Sequence, residues 1–306
     1  MLFEGADTLA RTLPTWIEAM RGTGITCDLI DNSVSNDVDA LIRSLDWDDV
    51  TYRYSRRPNP GFAASANEVV RSAQTPWAFL LNADVHLERE KLQLAVEHVD
   101  SKIAAGITNP TAVSLITHGE HTCGIYIDRL AYFSDRPVGS RYSCLGASGG
   151  AALFHRDSFD TFGGFDEDLF AWGEDAGLAI RMYAAGTQTD ELLLGLQHEG
   201  GHSVASLAGQ RLKARLLSRN RLLVLKRNFT LPFLVTVGLA QFVMILANGI
   251  RKILLHTGVQ HYSGVLEGLG RRSFAGPHGS RMSLTTFIAY QRGSSATEPH
   301  GSQPKQ

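Results

Sequence analysis

Two adjacent carboxylates, Glu174 and Asp175, stand where a helical segment of the 306-residue sequence begins. The partial positive charge of a helix N-terminus favours an ionised carboxylate, and an ionised aspartate can take a proton from an attacking hydroxyl group. Phe170 and Trp172 come just before the pair and make this turn apolar. The combination predicts an acid–base site, whereas the plainer interpretation is a helix start decorated with charged residues.

A second set of candidate residues follows the apolar stretch WAFLL, which is typical of a buried strand. The tripeptide Asn82-Ala83-Asp84 would lie at the edge of a sheet, where one carboxylate can hold Mg²⁺ or Mn²⁺ while phosphate oxygens supply further ligands. Asp31 and Asn32 end the strand-like stretch ITCDLID in the same way. Taken alone, each position is explained at least as well by a turn or a helix cap.

Strands and helices alternate through the N-terminal third of the chain. The stretches ITCDLID, VTYRYS and WAFLL have strand-like patterns, and helical patterns precede and separate them. This alternation predicts an α/β fold with a mainly parallel sheet covered by helices on both faces. Ligands of such sheets bind beyond the carboxyl ends of the strands, where Asp31 and Asp84 would both lie. Residues 103–154 are richer in strands and turns.

Composition limits the classes of function. Hydrophobic residues make up 43% of the chain, which supports a sizeable core, and the formal net charge of −2 gives no basic excess for a nucleic-acid partner. The 3 cysteines lack metal-type spacing, so a reduced, cytoplasmic compartment is favoured. Glu4 and Asp7 make the start unlike a secretory signal.

Four motifs occur in a fixed order: NPGFAASANEVV, LLNADV, GGFDEDLFAWGEDAGLAIRMYAAG and HEGGHS. This ordered set, over roughly residues 27–203, resembles family 2 glycosyltransferases of the rhamnosyltransferase and galactofuranosyltransferase type. The resemblance implies a GT-A nucleotide-diphospho-sugar transferase fold with a C-terminal helical appendage. It also implies an inverting, metal-dependent transfer of a sugar, with rhamnose as the first expectation, in cell-envelope polysaccharide synthesis. The expected donor is a dTDP- or UDP-sugar, and the expected acceptor is a glycan or a lipid-linked molecule.

The resemblance also assigns roles to single residues on the donor side. Asp84 matches the metal-binding residue, which would hold Mg²⁺ or Mn²⁺, and His198 matches a histidine that completes the metal or diphosphate site; a histidine capping a loop is the alternative. The residues expected beside the nucleotide are Asp31, Asn32, Asn59, Gly61, Asn67 and Asn82.

On the acceptor side, Asp175 matches the general base, and Glu174 matches its neighbour, which orients the acceptor. Trp172 and Gly149 are expected to line the acceptor site. Two positions depart from the family pattern, because Val34 stands where a serine is usual and Gly177 where an acidic residue is usual. Moreover, the family's first apolar strand is missing, since the sequence is expected to begin inside the helix that follows it. The predicted transferase domain is 1–228.

A stretch without charged residues runs from Phe229 to Ile250, between Lys226 and Arg227 on one side and a second basic pair, Arg251 and Lys252, on the other. It is about long enough to cross a bilayer, but its glycines, proline and amides favour a helix that lies at or re-enters a membrane surface. A buried core helix and a true span are the alternatives. We expect an apolar helical segment over 229–260, an extension over 261–306 with a disordered tail from about 293, and a peripheral location at the inner face of the plasma membrane.

Two other classes of function remain open. The pentapeptide GASGG at 146–150 fits the G-x-S-x-G pattern of serine hydrolases, with Ser148, Asp175 and His198 in the right order. That interpretation requires a strand before the serine and a helix after it. The second alternative is a non-catalytic relative that keeps the fold and serves as a binding or scaffolding protein; the missing first strand motivates it.

Overall fold

The computed structural model describes residues 2–106, 111–118, 120–137, 140–187, 189–199, 206–254, 256–271, 277 and 279–296. Helices and strands alternate in the N-terminal part, and helices alone form the C-terminal part. The strands are β1 (Cys27–Asp31), β2 (Tyr52–Arg56), β3 (Trp77–Leu81), β4 (Thr111–His118), β5 (Glu120–Ile127), β6 (Phe133–Pro137), β7 (Ala151–His155) and β8 (Asp190–Gln197). The helices are α1 (Ala6–Met20), α2 (Asp37–Ser44), α3 (Phe62–Ser72), α4 (Arg89–Ala104), α5 (Arg156–Thr161), α6 (Glu174–Ala184), α7 (Leu207–Asn228), α8 (Leu231–Phe233), α9 (Leu239–Leu254), α10 (Gly258–Gly270) and α11 (Leu284–Ala296).

The first two strands form a small parallel sheet, in which Cys27 faces Tyr52 at one end and Asp31 faces Arg56 at the other. Leu2 lies along the opposite edge of β1, where its N–H donates to the carbonyl of Ile30 (2.7 Å) and it pairs in parallel with Asp31. Helix α1 begins only at Ala6. The sequence therefore starts before this helix, with one residue paired beside β1, and not inside the helix as predicted.

The larger sheet has the order β3-β7-β4-β5-β6, with β8 beside β4. Only the β4–β8 pairing is parallel among the described strands of this sheet, and the other pairings are antiparallel. The sheet is therefore mixed, whereas the sequence predicted a mainly parallel sheet. The reason is that β4, β5 and β6 follow one another without intervening helices, whereas parallel neighbours need a crossover connection.

Helix α1 joins the two sheets through one hydrophobic core, which contains Leu13 and Trp16 of α1, Leu29 of β1 and Leu81 of β3. Two polar side chains of the helix also hold the chain that follows β3. Thr12 Oγ1 donates to the carbonyl of Ala83 (2.6 Å), and Trp16 Nε1 donates to the carbonyl of Val85 (2.7 Å). The backbone on both sides of Asp84 is fixed in this way.

The C-terminal helices pack around α7. Phe229 and Phe233 are buried with residues of α6 and α11 in a second core. Between α8 and α9 the chain makes one wider helical turn of π type, Leu234–Gly238. Residues 293–296, expected at the start of a disordered tail, form the last turn of α11. The rest of that predicted tail lies outside the described residues.

Candidate active site

The end of β3 brings Asp84 to His198. An antiparallel bridge pairs Val85 with His198, and the N–H of Glu199 donates to the carbonyl of Asp84 (2.9 Å). His198 Nε2 lies 2.9 Å from Asp84 Oδ1, and the two side chains are 23% and 22% exposed. Two residues that the sequence predicted for one end of a donor site are therefore adjacent and reachable from solvent. The rest of the HEGGHS motif, from residue 200, lies outside the described residues.

These two side chains offer one carboxylate and one imidazole to a metal ion. No group of three or more His, Cys, Asp or Glu side chains that could hold a metal occurs in the part of the chain that the structure describes. Mg²⁺ and Mn²⁺ take about six ligands, mostly oxygens, and in nucleotide sites many of them come from phosphates and water. The pair at Asp84 and His198 therefore fits a metal that is held jointly with a diphosphate, and not a site made by protein side chains alone.

The other end of the site forms at the start of α6, which Gly173 precedes with a φ of 106°. Asp175 Oδ2 accepts a hydrogen bond from the N–H of Gly149 (3.0 Å), and Oδ1 accepts one from the N–H of Ala176 (2.7 Å). A Cβ atom at position 149 would lie 3.1 Å from Cε1 of Phe62. The glycine thus leaves room for the ring of Phe62 beside this turn, and the predicted neighbours Gly149 and Asp175 are in contact.

One further hydrogen bond connects the two ends. The N–H of Asn82 donates to the carbonyl of Gly150 (2.8 Å), the residue after Gly149. The chain that leads from β3 to Asp84 is therefore tied to the turn that holds Asp175. Predicted donor-side and acceptor-side residues are therefore joined through adjacent backbone, and we call the region between them the cleft.

Burial perturbs both carboxyl groups at the start of α6. Burial is the main cause that raises the pKa of Asp175 to about 6. The negative charge of Asp135 also raises this pKa, whereas hydrogen bonds from the backbone lower it. Glu174 is only 5% exposed, and burial together with Asp175 raises its pKa. Glu174 Oε2 accepts no hydrogen bond within the described residues. At neutral pH this arrangement favours an ionised Asp175 beside a protonated Glu174.

Asp135 and Lys213 are site residues that the sequence did not reveal. Asp135 lies on β6, and its charge acts on Asp175. Burial raises the pKa of Asp135, whereas Lys213 and His198 lower it. The charge of Asp135 therefore interacts with residues at both ends of the cleft. Lys213 comes from α7, and its Nζ is 5.8 Å from the ring centre of Trp172. Neither residue belongs to a recognisable motif, so only the topology could locate them.

The loop before α6 has an unusual backbone, because Phe170 and Trp172 have φ angles of 65° and 67°. Asn220, which is fully buried in α7, holds this loop. Its Nδ2 donates toward the carbonyls of Leu169 (2.9 Å), Ala171 (2.7 Å) and Trp172 (2.8 Å). Left-handed conformations of bulky residues persist only where their surroundings enforce them, and Asn220 is a large part of that enforcement here. Sequence reasoning missed it.

The loop before α3 touches the same strained segment. Asn59 Oδ1 accepts a hydrogen bond from the N–H of Gly61 (2.9 Å). Gly61 has a φ of 99°, and a Cβ atom there would lie 2.6 Å from Cδ2 and from the carbonyl oxygen of Phe170. Only glycine fits this close approach. The predicted nucleotide loop is thus packed directly on the loop that carries Trp172.

Asn67 connects the same two regions from inside α3. Its Nδ2 donates to the carbonyl of Phe165 (2.9 Å) and to Glu167 Oε1 (2.8 Å), and its Oδ1 accepts from the N–H of Phe165 (2.7 Å). The amide is fully used by the protein and only 1% exposed. In this structure Asn67 positions a loop, and its expected place beside a nucleotide stays a prediction.

Asp31 and Asn32 are also turned inward. Asp31 is buried, and its two carboxylate oxygens accept hydrogen bonds from the N–H of Ser33 and the hydroxyl of Tyr54, both at 2.8 Å. Asn32 Oδ1 accepts a hydrogen bond from the hydroxyl of Ser65 (2.7 Å). These contacts have the turn-forming character that was the alternative interpretation of both residues. Nucleotide binding by either side chain stays a prediction.

The serine of the G-x-S-x-G pattern does not form a nucleophile elbow. Ser148 lies in a turn that leads directly into strand β7, whereas an elbow requires a helix after the serine. The next residue, Gly149, instead donates its N–H to Asp175. This segment serves as the wall of the carboxylate site, so the hydrolase interpretation is wrong for this geometry.

Comparison with a solved structure agrees with the fold. The structure of GalNAc-T7 with UDP, GalNAc and Mn²⁺ is similar with a TM-score of 0.55 and 16% identity, over 74% of this chain and 46% of that one. This chain thus spans about half the length of that structure. S. aureus TarS 1-349 in complex with UDP is more distant, with a TM-score of 0.45 and 14% identity over 96% of this chain and 92% of that one. No curated protein matches the sequence.

The family of the chain follows from its sequence match. The family model described as glycosyl transferase family 2 matches residues 3–163, which is more than half of the chain. The fold is the GT-A fold that the motifs indicated, with a mixed α/β domain and a helical C-terminal region. The chain belongs to glycosyl transferase family 2.

Proposed function

We propose that this protein transfers a sugar from a nucleoside diphosphate donor to an acceptor hydroxyl group, with inversion at the anomeric carbon. The observation that carries this proposal is the Asp175 carboxylate, which the N–H of Gly149 orients at 3.0 Å and which burial makes more basic. A base is most effective when its pKa is near the working pH. The partly exposed pair of Asp84 and His198 lies at the other end of the same region.

The reaction is a single displacement. The acceptor oxygen attacks the anomeric carbon from the face opposite the diphosphate, and its proton passes to Asp175. The bond from the anomeric carbon to the phosphate oxygen breaks, and the nucleoside diphosphate leaves with the electron pair. Protonated Glu174 can donate a hydrogen bond to the acceptor, because burial keeps it neutral. Trp172 offers a flat apolar surface on which a sugar ring can stack.

A divalent cation, Mg²⁺ or Mn²⁺, is part of the proposal. Asp84 with His198 would hold it, and the cation would neutralise the charge of the departing diphosphate. The Mn²⁺ and UDP in the GalNAc-T7 structure support this assignment. Lys213, whose Nζ lies 5.8 Å from the ring centre of Trp172, would supply a positive charge to phosphate oxygens.

For the donor, UDP- and dTDP-sugars remain the two expected classes, and dTDP-rhamnose is the first to test because of the motif resemblance. The proposed acceptor is a glycan or a lipid-linked molecule of cell-envelope polysaccharide synthesis. The proposed location is the cytoplasm, at the inner face of the plasma membrane. Cysteine usage and the charge-free segment 229–250 support that location.

A donor panel tests the proposal. The purified full chain is incubated with UDP- and dTDP-sugars in the presence of Mg²⁺ or Mn²⁺, and thermal shift and nucleotide release are measured. We expect one donor to raise the melting temperature and to be hydrolysed slowly, and EDTA to abolish both effects. A folded protein that neither binds nor hydrolyses any donor of the panel would contradict the proposal.

A non-catalytic binding protein is the second candidate. It is favoured by the inward-facing side chains of Asp31, Asn32 and Asn67, which were expected to hold the nucleotide. The same panel separates the two functions, because a binding protein would show the thermal shift without nucleotide release, even when acceptors are added.

A further inference from the structure

The helical segment Leu231–Leu254 has 24 residues, a length of about 36 Å, and a strongly apolar composition. It carries no charged side chain between residues 228 and 250. One side of it packs on the protein, and the other side is open. The open side carries large apolar side chains that are each more than half exposed, and we call these the apolar face: Leu231, Val235, Leu239, Val243, Ile250 and Leu254. Val259 and Leu266 of the neighbouring helix α10 are exposed as well.

The inner side of α9 is fastened to the domain by polar contacts. Gln241 Nε2 donates to the carbonyl of Ala131 (3.1 Å), and Asn248 Nδ2 donates to the hydroxyl of Tyr132 (3.1 Å). Gly249 permits close packing, since a Cβ atom there would lie 2.4 Å from Cζ of Tyr262 in α10. A helix crossing a bilayer would have to leave these partners or carry them into hydrocarbon. The contacts therefore favour a helix that stays on the domain and presents one side outward.

Basic side chains gather at the C-terminal end of α9. Burial lowers the pKa of Lys252, and neighbouring positive charges, those of Arg221, Arg251 and Lys213, lower it further. Within the described chain, neither Arg251 nor Lys252 has a carboxylate at ion-pair distance. The charge of Lys213, by contrast, interacts with that of Asp135. Like charges held close together are unfavourable unless an anion joins them.

Other basic residues of α7 behave differently. Arg215 and Arg219 both pair with Glu267 of α10, at 3.0 Å each, and Arg227 pairs with Asp166 at 2.6 Å. These three arginines of α7 are therefore neutralised by carboxylates within the protein. The cluster at the end of α9 differs from these pairs, and it adjoins the apolar face through Ile250 and Leu254.

We infer that the apolar face and the basic cluster form a surface that binds an anionic lipid bilayer, with α9 lying in the plane of the membrane. The apolar side chains would enter the boundary between headgroups and acyl chains, and the cations would meet lipid phosphates. The apolar face ends at the two cations Arg251 and Lys252 in the last turn of α9, and this charge complementarity favours an anionic bilayer over a purely apolar partner.

This surface lies one layer away from the proposed acceptor site. The loop that receives Gln241 and Asn248 continues into Phe133, whose ring would lie 2.8 Å from a Cβ atom at Gly173. Gly173 directly precedes Glu174. A membrane-bound protein would therefore hold the acceptor side of the cleft close to the lipid headgroups, as a lipid-linked acceptor requires. This last step rests on the proposed function, whereas the membrane contact does not.

Vesicle flotation tests the membrane contact. The full chain is mixed with vesicles of phosphatidylcholine, with or without phosphatidylglycerol, and the bound fraction is measured. The variant Leu239→Gln/Val243→Gln removes two side chains of the apolar face, and Ile103→Gln/Leu193→Gln removes two equally exposed apolar side chains elsewhere. We expect binding that needs phosphatidylglycerol, a loss of tenfold or more in the face variant, and no change in the control. Arg251→Gln/Lys252→Gln should weaken only the binding to anionic vesicles, and added salt should do the same.

Several outcomes would overturn the inference. Equal flotation of the face variant and the control would do so, and so would a wild-type protein that ignores vesicles of both compositions. Resistance of the bound protein to alkaline carbonate extraction would indicate a span and not a flat helix. Light scattering that shows a wild-type dimer and a monomeric face variant would assign the surface to a second copy of the chain. Donor hydrolysis in solution is measured on every variant, so a failed transfer proposal and a failed membrane proposal give different results.

Discussion

The two ends of the cleft hold their carboxylates in opposite ways. Asp84 is 22% exposed and shares a hydrogen bond with His198, whereas Glu174 is 5% exposed and its Oε2 accepts no hydrogen bond among the described residues. A carboxylate that water reaches can exchange ligands readily, which suits the binding and release of a metal–diphosphate. A carboxyl group kept from water changes its proton affinity, which suits proton transfer. The difference teaches that solvent access, more than residue type, separates the two proposed roles.

The largest expected effect tests the proton-transfer end. Asp175→Asn keeps the size of the side chain and removes its ability to take a proton. Loss of a general base costs roughly 10²- to 10⁴-fold in rate, so we expect kcat to fall at least ~100-fold. Donor affinity, measured by calorimetry, should change little because Asp175 is assigned to the acceptor. Near-normal turnover in this variant would refute the assignment.

The binding end should respond differently. For Asp84→Ala we expect a loss of roughly 10- to 100-fold in metal-dependent donor affinity, on the scale seen when metal-site residues are removed. The matched control is Asp157→Ala, which removes a carboxylate that is 75% exposed and remote from the cleft. Titration of the donor with and without Mn²⁺ measures the effect. Identical affinities of Asp84→Ala and wild type in Mn²⁺ would show that the metal is not held at this residue.

A smaller effect is expected in the loop that joins the two ends. Asn220→Ala removes the side-chain donor of the Ala171 and Trp172 carbonyls, a change that costs about 1–3 kcal/mol of unfolding free energy, while the Leu169 carbonyl keeps its bond from Arg219. The loop carrying Trp172 should also relax, so that the KM for the acceptor rises more than kcat falls. Gln74→Ala removes an exposed hydrogen bond to Ser72 and should cost less than about 0.5 kcal/mol. Urea unfolding and acceptor kinetics on both variants make the comparison. If Asn220→Ala were as harmless as the control, the strained loop would need another support.

The smallest expected effect is a shift in pH dependence. Burial raises the pKa of Asp175 to about 6, so we expect kcat/KM to fall as the pH falls through about 6 and the base becomes protonated. Asp135→Asn removes a nearby negative charge, which should lower the pKa of Asp175. The fall of kcat/KM should then occur at lower pH. An unchanged pH profile in this variant would show that Asp135 does not act on Asp175.

The same group also contributes to stability. The folded protein holds the proton of Asp175 at pH values where the unfolded chain, with an aspartate pKa of about 4, has released it. Its contribution to the free energy of unfolding therefore declines as the pH rises from about 4 to about 6. In Asp175→Asn this contribution should vanish, as urea unfolding at a series of pH values can measure.

The sequence could predict those parts of the site that depend on local structure. Asp84 follows an apolar strand, and Glu174 with Asp175 begins a helix, so the chemistry of each is visible within a few residues. Asp135 and Asn220 could not be found in this way, because their partners come from distant elements through the sheet order and the packing of α7. The direction of the strands was wrong for a related reason: β4 to β6 carry the usual strand signals, but their pairing depends on connections without helices. Asn67 shows a third limit of sequence reasoning. This residue matches the family motif, but its side-chain amide forms hydrogen bonds to the loop at Phe165.

Helix α1 has a consequence for how the site responds to distant changes. Thr12 and Trp16 donate hydrogen bonds to the carbonyls just before and just after Asp84. The helix therefore fixes the backbone that presents this carboxylate. A substitution at Thr12, which lies 71 residues before Ala83 in the sequence, would then change the metal affinity while the carboxylate itself is untouched. Sequence changes in this helix are therefore a means of tuning donor binding that leaves every residue in the cleft as it is.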